Sequence, residues 1–157
     1  MSSSWNPNVV SGNLKQKTSE TPVIETKEAA GAEEVAKNLH LDDITRHIFL
    51  CCDQSKAKCC SFPEGMVVWE HLKTRCRDWN RSLSPDKAQQ RFARTKANCL
   101  QVCKEGPIAV VYPDGVWYKN VTIRKLDKII DQHLIGGVPV EEYMLRNAGR
   151  TVQMSHK

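Results

Sequence analysis

Seven cysteines stand at positions 51, 52, 59, 60, 76, 99 and 103, and six of them fall in two short segments, CCDQSKAKCC and CLQVC. This arrangement constrains the chain more than anything else in it. An odd count with two adjacent doublets makes a poor disulfide framework, because neighbouring cysteines pair awkwardly and one thiol is left over. In reducing surroundings the alternatives are metal binding and thiol redox chemistry. The 157 residues suit a single domain, since domains run to roughly 100 to 200 residues. One site is therefore expected, drawn from the two segments.

The pattern around the cysteines defines the elements that carry them. Arg46 to Cys52 (RHIFLCC) is a short apolar run of β-forming type that breaks off into DQSKAK, which predicts a buried strand ending at Cys51. After the second doublet, FPEGMVVWEHLKTRCRDWN places Val68, Leu72 and Trp79 at near-helical spacing among basic residues, a helix that ends before Ser84-Pro85. Arg91 to Ala97 is compatible with a short strand leading into ANCLQVCKEGP. IAVVYPDGVWY reads as a hairpin, strands 108–112 and 116–118 joined through Pro113, Asp114 and Gly115. A second helix follows, with Ile123, Leu126, Ile129, Ile130 and Leu134 on one stripe, Thr122 as its cap and Gly136-Gly137 as its stop. Strand, helix, strand, hairpin, helix is an α+β order that suits a four-stranded mixed sheet covered by helices.

The ends of the chain read differently. Residues 1–44 are polar and acidic with no sustained period, and are expected to form a disordered extension carrying at most a short helix around Glu28 to Asn38. A polar tail is expected over 147–157, leaving 45–146 as the folded domain. Residues 1–45 hold four lysines against seven acids, a formal −3, while 46–157 hold nineteen bases against eleven acids, a formal +8. A basic folded part favours an anionic partner through long-range steering. No apolar run approaches the ~18 residues of a membrane helix, and the start MSSSWNPNVV lacks a secretory pattern, so a cytoplasmic protein is expected.

A 2Fe-2S cluster takes four thiolates, two per iron, from loops whose amides can hydrogen-bond the sulfurs. Two loops giving two cysteines each meet that need, and Lys56, Lys58 and Lys104 place positive charge around an anionic centre. Other readings stand beside it. A structural zinc site usually shows two tight cysteine knuckles, which only Cys99 and Cys103 approach. A dithiol exchange site would need a CxxC at a helix start, which the sequence lacks. Cys76, between Leu72 and Trp79, reads as an ordinary buried apolar residue. His47, His71 and His133 read as surface or helix residues rather than ligands. There is no Ser/His/Asp set, acid/base carboxylate pair, P-loop or dinucleotide glycine fingerprint, so no enzyme is expected.

The segments HIFLC, CC with Gly65 soon after, and NCLQVCKEGPIAVVYPDGVWY resemble the thioredoxin-like 2Fe-2S ferredoxins, whose fold is shared with the small cluster-binding subunit of respiratory NADH dehydrogenases. The resemblance runs from about Arg46 to Leu145, and the doublets around DQSKAK are most similar to cyanobacterial versions. It implies a thioredoxin-like fold and one 2Fe-2S cluster. It also implies ligands at Cys51, where the apolar strand ends, at Cys60, shortly before Gly65, and at Cys99 and Cys103 before Gly106-Pro107. Cys52 and Cys59 are the alternates within the doublets. The function implied is a one-electron carrier. The alternatives are a cluster-dependent sensor or assembly subunit of a larger redox complex, or a cluster-free thioredoxin-like or zinc module. The expected partner is a redox protein of acidic surface rather than nucleic acid, and the resemblance also implies a homodimer contact through the hairpin bearing Trp117 and Tyr118.

Overall fold

The computed structural model describes residues 27–53, 55–56 and 58–145. The expectations for 1–26 and for the tail at 147–157 lie outside these residues. In chain order the elements are α1 (Lys27–Asn38), β1 (Ile44–Cys51), α2 (Phe62–Ser82), β2 (Arg91–Ala97), β3 (Ile108–Tyr112), β4 (Val116–Tyr118) and α3 (Ile123–Lys128). Short 3-10 turns lie at Leu41–Asp43, Pro85–Gln90 and Glu141–Tyr143. The final helix does not remain α throughout: from Ile129 to Ile135 it widens into a π-helical segment.

The four strands form one sheet in the order β2-β1-β3-β4. β1 and β2 run parallel, and the other two pairs are antiparallel. A parallel pair needs a long crossover, and α2 supplies it. Helix α2 starts where Ser61 accepts from the Glu64 amide while the Glu64 carboxylate accepts from the Ser61 amide at 2.9 Å. This reciprocal cap satisfies two amides that the helix end leaves bare. The Thr122 side chain caps α3 by accepting from Lys125, as its sequence position predicts.

One face of the sheet carries the core. Ile48, Leu50, Ala109, Val111, Val116 and Tyr118 meet Val68, Leu72 and Cys76 of α2 and Leu126, Ile129, Ile130 and Leu134 of the last helix. Ile123, placed on that stripe by spacing, is 38% exposed instead, because it sits in the first turn of α3 at the rim of the molecule. Cys76 is buried and donates to the Phe92 carbonyl at 3.3 Å, so it is a core thiol.

Candidate metal centre

The parallel pairing of β1 with β2 brings the two cysteine segments together. Cys51, the last residue of β1, stands between Ala97, the last residue of β2, and Ile108, the first of β3. Both loops therefore leave the same end of the sheet. The first begins with the Cys52 and Asp53 amides donating to the Ala97 carbonyl at 3.3 and 3.4 Å. Asn98 then donates to the Asp53 carbonyl at 2.9 Å and to Ser55 at 3.3 Å, holding the start of one loop to the start of the other.

A second set of contacts closes the site from the opposite side. The Gly106 amide donates to the Cys59 carbonyl at 3.1 Å. A Cβ at Gly106 would meet the Cys59 Cβ at 2.7 Å, so the close approach requires glycine there. The Glu105 and Pro107 carbonyls accept from the Asn120 and Val121 amides at 2.6 and 3.0 Å, anchoring the 99–107 loop to the start of α3. The loop turns at Gln101, whose φ of 64° is left-handed, and this turn brings the Gln101 amide 3.3 Å from the Cys99 sulfur.

Within this frame the cysteines occupy distinct environments. Cys51 is buried, with its sulfur 3.7 Å from that of Cys59 and 3.9 Å from the Asn98 carbonyl. Cys59 and Cys60 are half-buried, and Cys99 and Cys103 are exposed at the rim. Cys52 points the other way: it is fully buried in the apolar core, where a Cβ on Gly65 would come within 3.0 Å of it. Burial pushes the Cys52 thiol up to about 12 against the opposing pull of Lys96. Burial likewise pushes Cys59 up to about 12, followed by its contact with Cys51. Among the described residues, no three His, Cys, Asp or Glu side chains converge as they would on a single metal ion.

Sequence reasoning thus names six cysteines for the site. The structure brings the Cys51 and Cys59 sulfurs into contact with Cys60 next in the chain, places Cys99 and Cys103 on the loop that leaves the same end of the sheet, and turns the alternate Cys52 into the core. The backbone donor at Gln101 and the glycine at 106 are the contributors that spacing does not reveal. Gly106-Pro107 reads from sequence first as a turn that starts the hairpin strand, with shaping of the cysteine loop as the second reading.

No family model matches the sequence. Among curated proteins, a "Ferredoxin, 2Fe-2S" of Aquifex aeolicus is 47% identical over 51 residues, which is 32% of this chain and 46% of that protein. A "Putative 2Fe-2S ferredoxin" of Priestia megaterium is 31% identical over 101 residues, 64% of this chain and 71% of that protein. The chain belongs to the 2Fe-2S ferredoxin family. Its match to the Aquifex ferredoxin, and to a "Ferredoxin, 2Fe-2S" of Clostridium pasteurianum at 43% identity over 47 residues, spans just under half of each, 46%. The crystal structure of the wild-type thioredoxin-like [2Fe-2S] ferredoxin of Aquifex aeolicus superposes with a TM-score of 0.53 at 27% identity, covering 65% of this chain and 97% of that one. The thioredoxin-like architecture of the ferredoxin is thereby established alongside its family.

The residues present fit the family's cofactor in chemistry. The donors are all sulfur, they lie on two loops tied to each other, and a backbone N–H already addresses one of them at Cys99. Such N–H···S bonds stabilise charge on a ligating sulfur and raise the potential of the centre it holds. The elements holding the loops are the rigid ones, the ends of two paired strands and the capped start of α2.

Proposed function

We propose that the chain is a one-electron carrier that holds one 2Fe-2S cluster on Cys51, Cys59, Cys99 and Cys103. The observation that carries this reading is the 3.7 Å separation of the Cys51 and Cys59 sulfurs. Two thiolates on one tetrahedral metal with bonds of about 2.3 Å stand about 3.8 Å apart, so these two already have the spacing of partners on a single iron. This favours Cys59 over Cys60, which the family resemblance had placed as the second ligand, and leaves Cys99 and Cys103 to serve the other iron.

The cluster supplies one-electron redox chemistry between its oxidised and singly reduced states. The chain's own residues do the rest. Burial of Cys51 keeps one side of the site dry, the Gln101 amide donates to the Cys99 sulfur, and the exposed Cys99 and Cys103 keep the other side near solvent. No side chain is positioned to transform a substrate in this reading, and a redox protein is the partner.

The test is iron and acid-labile sulfide quantitation on anaerobically purified Cys→Ser variants. Substitution at 51, 59, 99 or 103 is expected to remove the full cluster, whereas Cys60→Ser retains it together with the S = 1/2 electron paramagnetic signal of the dithionite-reduced protein. A full cluster in either Cys99→Ser or Cys103→Ser overturns the ligand set. Stoichiometric zinc without iron or sulfide overturns the cluster itself.

A further inference from the structure

Between the starts of α2 and α3 lies a groove of about 630 Å³, and one of its walls is Cys59 and Cys60. Gly106 and Pro107 form its floor beside Cys59, and Val67 and Ile123 stand on its two banks. Val67 is 57% and Ile123 38% exposed, and Phe62, beside the groove at the first turn of α2, is 49% exposed. Among the described residues eight large apolar side chains are exposed; two of them line this groove, and Phe62 directly precedes its lining residue Pro63. Single exposed apolar residues are ordinary, but a contiguous group with a polar rim marks an interaction site.

The charges around the groove are one-sided in what they offer a partner. Of the acids nearby, Glu105 pairs with Lys119 at 2.9 Å and Asp53 with Lys96 at 3.1 Å, while Glu64, which lines the groove, accepts from the Ser61 amide at 2.9 Å and keeps its charge. Lys58 directly precedes Cys59, Lys104 directly follows Cys103, and Arg124 directly follows Ile123. All three are exposed and enter no ion pair among the described residues. Three uncommitted cations next to residues of the groove or its loop outnumber the single uncompensated acid, Glu64, and with the apolar side chains they complement a partner with an apolar contact and an acidic rim. The rim charges would speed encounter and the apolar centre would hold the complex.

We propose that this groove is the docking surface for an acidic electron-transfer protein, the place where the electron enters or leaves. The inference rests on the carrier reading, since it is the sulfur wall that makes the location useful. A partner seated there touches Cys59 and Cys60, which line the groove.

The experiment is calorimetric titration of the oxidised full-length protein with flavodoxin, an acidic one-electron flavoprotein, at low and at physiological salt. Binding is expected at low salt and should weaken as salt is added. Lys58→Glu with Lys104→Glu is expected to weaken it on the order of tenfold, and Val67→Glu to weaken it as well. Arg81→Glu with Lys87→Glu, in the last turn of α2 and just after it and about 20 Å along the helix from the groove, should leave it unchanged. Equal weakening by the distant pair, no effect of the groove variants, or no binding by the wild type overturns the proposal. So does concentration-dependent self-association abolished by Val67→Glu, which would assign the groove to a second copy of the chain. Visible absorption and iron content are read on each sample. An intact cluster with unaltered binding defeats the docking surface alone, whereas iron-free wild type that still binds defeats the carrier reading alone.

Discussion

His133 is fully buried, and its hydrogen-bond partners determine its charge. The Val140 amide donates to the Tyr118 hydroxyl oxygen at 3.0 Å, so the Tyr118 proton goes to His133 Nδ1 at 2.8 Å. The Nε2–H then donates to Asp114 at 3.1 Å, and the same carboxylate accepts from Arg46 Nε at 2.8 Å. Every contact has one proton only if the imidazole is neutral; a second proton on Nδ1 would face the Tyr118 hydroxyl and leave its proton without an acceptor. Burial keeps the Tyr118 hydroxyl protonated by pushing it up to about 12, and burial also lowers His133 below its usual 6.5, outweighing the attraction of Asp114. The unfolded chain therefore takes up a proton near pH 6.5 that the folded chain refuses, so the stability due to this histidine is present above that pH and declines as pH falls below it. Denaturant midpoints measured between about pH 5 and 7 should fall toward the acid end in the wild type, and His133→Gln should be less stable overall with a flatter pH dependence in that window. A histidine among Ile130, Leu134 and Gly136 reads from sequence as one more helix residue. Only the approach of Tyr118 and Asp114 from the hairpin makes it a buried crosslink.

At the scale of elements, the outer edge of β2 shows how the sheet avoids an open strand. Asn80, one turn from the end of α2, donates to the Phe92 carbonyl at 2.8 Å and accepts from the Phe92 amide at 3.3 Å, while Trp79 donates to the Gln90 carbonyl at 3.0 Å. A side-chain amide thus stands where a further strand would pair, and an edge protected in this way resists pairing with another chain. β4 is protected from the other side, where the Leu145 amide donates to the Trp117 carbonyl at 2.8 Å. Asn80→Ala leaves the Phe92 amide without a partner and its carbonyl with only the weak Cys76 thiol donor at 3.3 Å, and is expected to lower unfolding free energy by about 1 to 3 kcal/mol in urea titration. Asn80→Asp, which keeps the acceptor and loses the donor, should recover at most part of that loss. The amphipathic spacing of Val68 and Leu72 is legible in α2, but Asn80 falls among polar residues and carries no periodic signal.

At the scale of the whole molecule, the folded unit and the segment preceding it are held differently. Val35 and Leu39, on and just after α1, are 56% and 58% exposed, so this helix contributes little apolar burial. A chain beginning at Leu41 is expected to keep its thermal midpoint within a few degrees and to keep its full iron content, measured by calorimetry and metal analysis. A large loss of either would show that the segment before β1 belongs to the fold. The extents of β2, β3 and β4, the cap at Thr122 and the family itself are legible along the chain, because alternation, turn residues and helix caps are local and the stretch from Cys99 to Tyr118 is distinctive. Six thiols in two short segments are legible for the same reason. The choice within a doublet is not, since adjacent residues share every local signal and differ only in the direction of their side chains. At Cys51 and Cys52 the alternation of a strand sends one sulfur toward the site and the next into the core against Gly65. At Cys59 the backbone is held by Gly106, nearly fifty residues away in sequence. Residue types and their spacing determine that this chain can offer a sulfur-rich site; the pairing of β1 with β2 and the closure of one loop on the other, which no local signal encodes, set the 3.7 Å separation of the Cys51 and Cys59 sulfurs.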